Sequence, residues 1–90
     1  MVRYYIVVEG RVQGVGFRFN SMMKARTYDL TGWVRNMENG MVELEVQGNS
    51  DAVDKFIRDI KKGNRFIRVD DLHQKKINII EGERTFTERY

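Results

Sequence analysis

The sequence predicts an α+β sandwich of β-α-β-β-α-β order, an antiparallel sheet with two helices on one face. Three observations carry that prediction. Twice an apolar, strand-like run is followed by a stretch with apolar residues at helical spacing. Between the two helical stretches lie two short runs joined by Glu38-Asn39-Gly40, and Asn-Gly is the strongest short hairpin signal. Ninety residues without a linker, repeat or low-complexity tract make one domain, residues 1–90.

The elements follow in order. Val2–Glu9 is rich in Val, Ile and Tyr with apolar residues on both faces, which suits a central strand. Phe19, Met22, Met23, Arg26 and Leu30 recur at spacings of three and four, predicting a helix over Phe19–Tyr28 with Met22 and Met23 filling the core. Gly32–Met37 and Met41–Gln47 are the hairpin strands. In the second, Val42, Leu44 and Val46 alternate with Glu43, Glu45 and Gln47, giving it one wet face. Ser50 caps the next helix and Asp51 sits in its first turn. Val53, Phe56, Ile57 and Ile60 form its stripe, Lys61 and Lys62 its last turn, and Gly63 its stop. Phe66–Ile80 is strand-like but imperfectly patterned. Thr85–Thr87 offers a short extra strand at the C-terminus. The string matches the ferredoxin-like plan.

The chemistry concentrates in Gly10-Arg11-Val12-Gln13-Gly14-Val15-Gly16-Phe17-Arg18, between the first strand and the first helix. Three glycines let the backbone curl, because Gly takes positive φ at little steric cost. A curled loop at a helix N-terminus aims several N–H groups at one spot, where the helix dipole also favours an anion. Arg18 adds a permanent charge and a planar fork of donors suited to phosphate oxygens. The Walker pattern fails here, since Gly16 is followed by Phe17 and Arg18 rather than Lys and Ser/Thr. The dinucleotide fingerprint fails too, since Phe19 stands where a third glycine belongs. A plain glycine turn remains the alternative, and spacing alone does not separate the two. The second group is Gly32-Trp33-Val34-Arg35-Asn36, whose neutral Asn36 can hold a water by its carbonyl oxygen or simply begin a hairpin.

Together these motifs, followed by Asn39-Gly40-Met41-Val42-Glu43, resemble the acylphosphatase family, and the resemblance covers nearly the whole chain, Val2 to Tyr90. It implies a ferredoxin-like fold and hydrolysis of acyl phosphates to carboxylate and inorganic phosphate. Arg18 looks like the family's phosphate-binding arginine and Asn36 like its water-positioning asparagine. On that footing Gln13, Gly14, Val15, Gly16 and Phe17 wrap the phosphoryl group with backbone N–H donors, Arg18 supplies the counter-charge, and Asn36 holds water in line with the departing carboxylate. Neither Arg18 nor Asn36 serves as a general base at neutral pH, and neither metal nor cofactor is called for. The departures from the family pattern lie elsewhere. Tyr28-Asp29-Leu30 stands where Leu-Gly-Leu is common, Gly63-Asn64 where Gly-Pro is common, and the tail Phe86-Thr87-Glu88-Arg89-Tyr90 is unusually polar.

Composition narrows the rest. Without Cys there is no disulfide, thiolate metal site or cysteine nucleophile. Tyr4–Val8 is too short and lacks the basic leader of a signal peptide, and no segment is long enough to span a membrane, so the expected setting is the cytoplasm. A formal charge of +3 suits an anionic metabolite. The expected partners are a small acyl phosphate and its phosphate product, with the chain a monomer. His73, the lone histidine, is expected on the surface or in a structural role, and Glu43 and Glu45 on a solvated face. An RNA-binding module is the first alternative. It needs exposed aromatics in a basic strand pattern, whereas Tyr4 and Tyr5 fall on opposite faces and Val42–Val46 carries glutamates. A module of a larger carbamoyl-transfer or maturation protein is the second.

Overall fold

The computed structural model describes residues 1–90. Its elements are β1 (Val2–Arg11), α1 (Phe17–Thr27), β2 (Thr31–Asn36), β3 (Val42–Gly48), α2 (Ser50–Lys62), β4 (Arg68–Ile77) and β5 (Phe86–Arg89). The sheet order is β4-β1-β3-β2-β5. The fold is therefore the ferredoxin-like βαββαβ sandwich with an added C-terminal strand. The four strands β4-β1-β3-β2 are antiparallel throughout, and β5 joins the far edge parallel to β2. The sheet is thus mixed at that one pair.

Side chains alternate across a strand, which sorts the sheet into two faces. Ile6 and Val8 of β1, Val34 of β2 and Val42, Leu44 and Val46 of β3 are all fully buried on the helix side. They meet Val53, Phe56, Ile57 and Ile60 from α2, the four positions of its apolar stripe. Asn49, one residue before the expected Ser50, caps α2: its Oδ1 accepts from the N–H groups of Asp51 and Ala52.

The phase of α1 differs from the expected stripe. Its buried line is Phe17, Ser21 and Ala25, while Met22 only packs partly against the core. Phe19 and Met23 are 59% and 47% exposed. Two small residues in the buried line let the helix lie close to the sheet, and small residues give little hydrophobic contrast to read. Beyond α1, Asp29 occupies the left-handed region at φ 56°, a conformation Asp tolerates better than most side chains. In the α2–β4 loop, Asn64 Oδ1 accepts from the N–H groups of Phe66 and Ile67, which fixes that turn without proline.

The face opposite the helices is not the wet surface expected from Glu43, Glu45 and Gln47. Glu43 is 9% and Gln47 4% exposed. The cause is topological. β4 and β5 lie at opposite edges, so the chain between them must cross the sheet, and it does so over the open face. Gln47 exchanges hydrogen bonds with the backbone of Ile80, its Nε2 donating to the carbonyl and its Oε1 accepting from the N–H. Arg3, wholly buried, donates to Glu83 in the crossover at 2.8 and 3.2 Å, to Glu45 at 2.8 Å and to Gln47 at 3.1 Å. Nearer the hairpin, Glu43 accepts from the Tyr5 hydroxyl at 2.7 Å and from Arg35 at 2.6 Å.

Burial pushes the Glu83 carboxyl up, but hydrogen bonds from Arg3 and Thr31 outweigh it and leave the group below its ordinary value. Burial likewise opposes ionisation of Glu43, and the Tyr5 and Arg35 hydrogen bonds again win, leaving it lowered. Both carboxyls bind protons less readily in the folded chain than in the unfolded one. Their contribution is complete above the ordinary glutamate range near pH ~4.3 and is lost as pH falls through the lowered folded values. Urea unfolding measured from pH 6 downward is expected to show a midpoint that declines in that window, and Glu83→Gln is expected to flatten part of the decline.

Candidate active site

The loop joining β1 to α1 turns through Gly14 at φ 73° and Gly16 at φ 81°. Both are left-handed positions where any side chain is strained, although a Cβ at either would meet nothing within 4 Å. Gly16 is the N-cap of α1. It supplies no side-chain acceptor, and the first turn carries no acidic residue. α2 has the opposite arrangement, with Asn49 satisfying two N–H groups. The leading N–H groups of α1 therefore point outward without a protein partner, at the positive end of the helix dipole.

Arg18 is the second residue of α1, so its charge sits beside those N–H groups. Two contacts from the end of β5 hold its guanidinium. Nη1 donates to the Arg89 carbonyl at 3.1 Å, and the Tyr90 ring centre lies 4.6 Å from Cζ. Asn36 ends β2 on the helix side of the sheet, two residues beyond the buried Val34. Its side-chain oxygen is buried and accepts no hydrogen bond. An unpaired buried acceptor is costly unless something fills it.

These residues share one cavity of about 180 Å³, lined by Val12, Gly14, Gly16, Phe17, Arg18, Phe19, Asn36 and Glu88. Of the sequence-derived candidates, Gly14, Gly16, Phe17, Arg18 and Asn36 thus converge on one space. Gln13 and Val15 do not line it. The Val15 side chain packs against the core, and the Gln13 amide donates to the carbonyls of Met37 at 2.7 Å and Met41 at 2.8 Å. Whatever these two offer a ligand comes from their backbone. The cavity combines unpaired N–H donors, one guanidinium and one free carbonyl acceptor, with Glu88 its single carboxylate. Such a set can bind an anion and hold a water beside it.

The sequence alone did not reveal Glu88, Arg89 and Tyr90 as part of this site. Their placement follows from the parallel pairing of β5 with β2, which no local pattern announces. His73, by contrast, stands on the exposed strand β4, with Nε2 2.9 Å from Asp71 and 3.8 Å from Glu9. These three could share a cation, their ligand atoms lying within 4.8 Å of one another. None of them lines the cavity, and all are exposed enough for water to compete. Trp33 is 8% exposed and flanked by Arg35 and Arg89 at 5.5 and 4.6 Å, so it presents no free face for stacking a base. No helix is long and apolar enough to cross a membrane.

A family model described as Acylphosphatase matches residues 4–87. An acylphosphatase of Clostridium beijerinckii is 46% identical over 90 residues, with all of both chains covered. The crystal structure of acylphosphatase from Bacillus subtilis superposes with a TM-score of 0.94 at 39% identity, again over the whole of both chains. The crystal structure of HypF from T. kodakarensis matches all of this chain with a TM-score of 0.86 at 33% identity, but only 12% of that longer protein is covered. The same unit therefore also occurs inside a larger chain.

Gly16→Ala isolates the cost of the loop's left-handed turn, since the added Cβ has open space. It is expected to lower stability by about 1–2 kcal/mol and to weaken inhibition by inorganic phosphate, read by urea unfolding and by inhibition kinetics.

Proposed function

Since the chain belongs to the acylphosphatase family and hydrolyses the carboxyl–phosphate bond of acyl phosphates, we propose that it does so by in-line attack of a water held by Asn36 on a phosphoryl group held by the glycine loop and Arg18. The observation that carries this reading is the convergence of an uncapped helix N-terminus, a tethered guanidinium and an unpartnered Asn36 oxygen on one cavity.

Phosphoryl transfer from an acyl phosphate passes through a loose transition state whose charge spreads over the equatorial oxygens. Backbone N–H groups from Gln13 to Phe17 and the Arg18 fork face that charge. They are fixed in advance, so little reorganisation is needed as charge develops. The carbonyl oxygen of Asn36 accepts a hydrogen bond from the attacking water and aims its lone pair at phosphorus. The water–phosphorus bond forms as the bond from phosphorus to the carboxyl oxygen breaks.

The carboxylate leaves as a stable anion and needs no general acid. No general base is needed either: a loose transition state asks little of the nucleophile, and an oxygen of the transferred phosphoryl group takes the water's proton as inorganic phosphate forms. Positioning of this kind supplies roughly 7–11 kcal/mol in well-oriented model reactions. The substrate is a small acyl phosphate and the product is inorganic phosphate. The chain acts as one domain over residues 1–90 and works as a monomer in the cytoplasm.

Hydrolysis of benzoyl phosphate in the presence of a chelator tests these assignments. Wild type is expected to release phosphate at an undiminished rate. Arg18→Gln is expected to lose about 10²–10³-fold in kcat, as when an oxyanion donor is removed, together with most of its inhibition by phosphate. Asn36→Ala is expected to lose kcat while phosphate inhibition stays near the wild-type value. Normal activity in Arg18→Gln contradicts the cradle assignment. Lost phosphate binding in Asn36→Ala means that Asn36 contacts phosphate instead of water.

A further inference from the structure

The Gln13 side chain makes two contacts that the phosphate cradle does not require. Its Nε2 donates to the Met37 carbonyl at 2.7 Å and to the Met41 carbonyl at 2.8 Å. A primary amide has two N–H donors, so both are engaged. None is left for a phosphate oxygen, and the remaining Oε1 is an acceptor that an anion would avoid.

Met37 and Met41 close the β2–β3 hairpin. The Met37 N–H donates to the Met41 carbonyl at 2.8 Å, and the Gly40 N–H reaches the Met37 carbonyl at 3.3 Å. Asn39 adds its Oδ1 as acceptor for the Met41 N–H. Gln13 thus caps the closing pair from outside, using the second lone pair of each carbonyl. Asn36 is the residue immediately before this pair. It follows Arg35, the last β2 residue paired with β5, which stands opposite Arg89. Asn36 itself faces Val42 of β3. The amide of Gln13 is a direct hydrogen-bonded link between the glycine loop and the hairpin that begins just after Asn36.

We propose that Gln13 is a positioning residue, which sets the distance between the bound phosphoryl group and the water held by Asn36. The proposal rests on the assignment of Asn36 to the water. The loop and the hairpin come from different parts of the chain, and each carries one half of the reacting pair. The two hydrogen bonds of Gln13 fix one half against the other. A nucleophile displaced by about 1 Å can cost on the order of 10²-fold in rate. Phosphate affinity, which depends on the loop and Arg18, is little affected by the same displacement.

The test is a double-mutant cycle between Gln13→Met and Asn36→Ala, with kcat for benzoyl phosphate and the phosphate inhibition constant measured for all four proteins. Met keeps the length of Gln and removes its donors. Gln13→Met alone is expected to lose roughly 10- to 100-fold in kcat with a phosphate inhibition constant within about threefold of wild type. In the Asn36→Ala background the same substitution is expected to cost almost nothing further, because the water it positions is already lost. A merely structural role predicts equal losses in both backgrounds, and that result overturns the proposal. So does a loss of phosphate affinity that tracks the loss of rate, or an unchanged kcat in Gln13→Met. If Asn36→Ala itself leaves kcat unchanged, the water assignment falls and this proposal falls with it. If Asn36→Ala behaves as expected and only the Gln13 result fails, the water assignment stands alone. Should Gln13→Met not fold, Gln13→Asn enters the same cycle: its amide is one methylene too short to reach both carbonyls, and the same outcomes apply.

Discussion

Arg3 is wholly buried on the sheet face that carries no helix, and the arrangement of the C-terminal third of the chain depends on it. A buried guanidinium is tolerated only when its donors are matched. Glu45 and Gln47 on β3 take two of its bonds, and Glu83 takes a bidentate pair from the crossover. The crossover is thereby pinned to the sheet it must traverse. Burial works against the Arg3 charge, but the paired carboxylates more than compensate, and the net result favours protonation. What lies over this face is thus not an incidental loop but the segment that delivers β5 to the far edge.

That delivery reaches the candidate active site. β5 pairs in parallel with β2, and its last residue Arg89 and the following Tyr90 hold Arg18 through the Arg89 carbonyl and the Tyr90 ring. The other half of the site is held by Gln13, which ties the glycine loop to the hairpin. Both tethers are long-range contacts between elements that the sheet brings together. The cradle itself is local: two left-handed glycines and a helix start left without a cap. In the proposed reading, a local device for binding the anion is combined with two tertiary tethers that orient the residues around it. The proposed chemistry asks for nothing more when the leaving group is a carboxylate and the transition state is loose.

Much of this was legible in the residues. The α2 stripe, the Asn39-Gly40 hairpin and the glycine loop each encode their structure within a few positions, and the motifs single out Arg18 and Asn36, which the fold brings to one cavity. The misplaced features have physical causes. The buried line of α1 runs through Ser21 and Ala25, which carry no apolar signal, while the more conspicuous Phe19 and Met23 face solvent. Asn49 and Ser50 are both good capping residues, so local sequence does not choose between them, and the cap lies at Asn49, one position before the expected Ser50. Glu43 and Gln47 look like solvent-facing residues in an alternating strand, and only the crossover, with Tyr5 and Arg35, buries them. The tether at Arg18 depends on the four residues of β5, of which only Phe86 is apolar, choosing a parallel partner, a choice made by tertiary packing and not by local propensity.

The central claim is that one anion-binding site, formed by the glycine loop, the start of α1 and Arg18, faces the Asn36 side chain. The most direct measurement is titration of the ¹⁵N-labelled protein with inorganic phosphate, following backbone amides, the Arg18 Nε and the Asn36 side-chain amide by NMR. Saturable shifts concentrated at Gly14, Gly16, Phe17, Arg18 and Asn36, with a common midpoint, are the predicted result. Saturation at residues elsewhere while those signals stay fixed, for example along the open face of the sheet, would contradict the account.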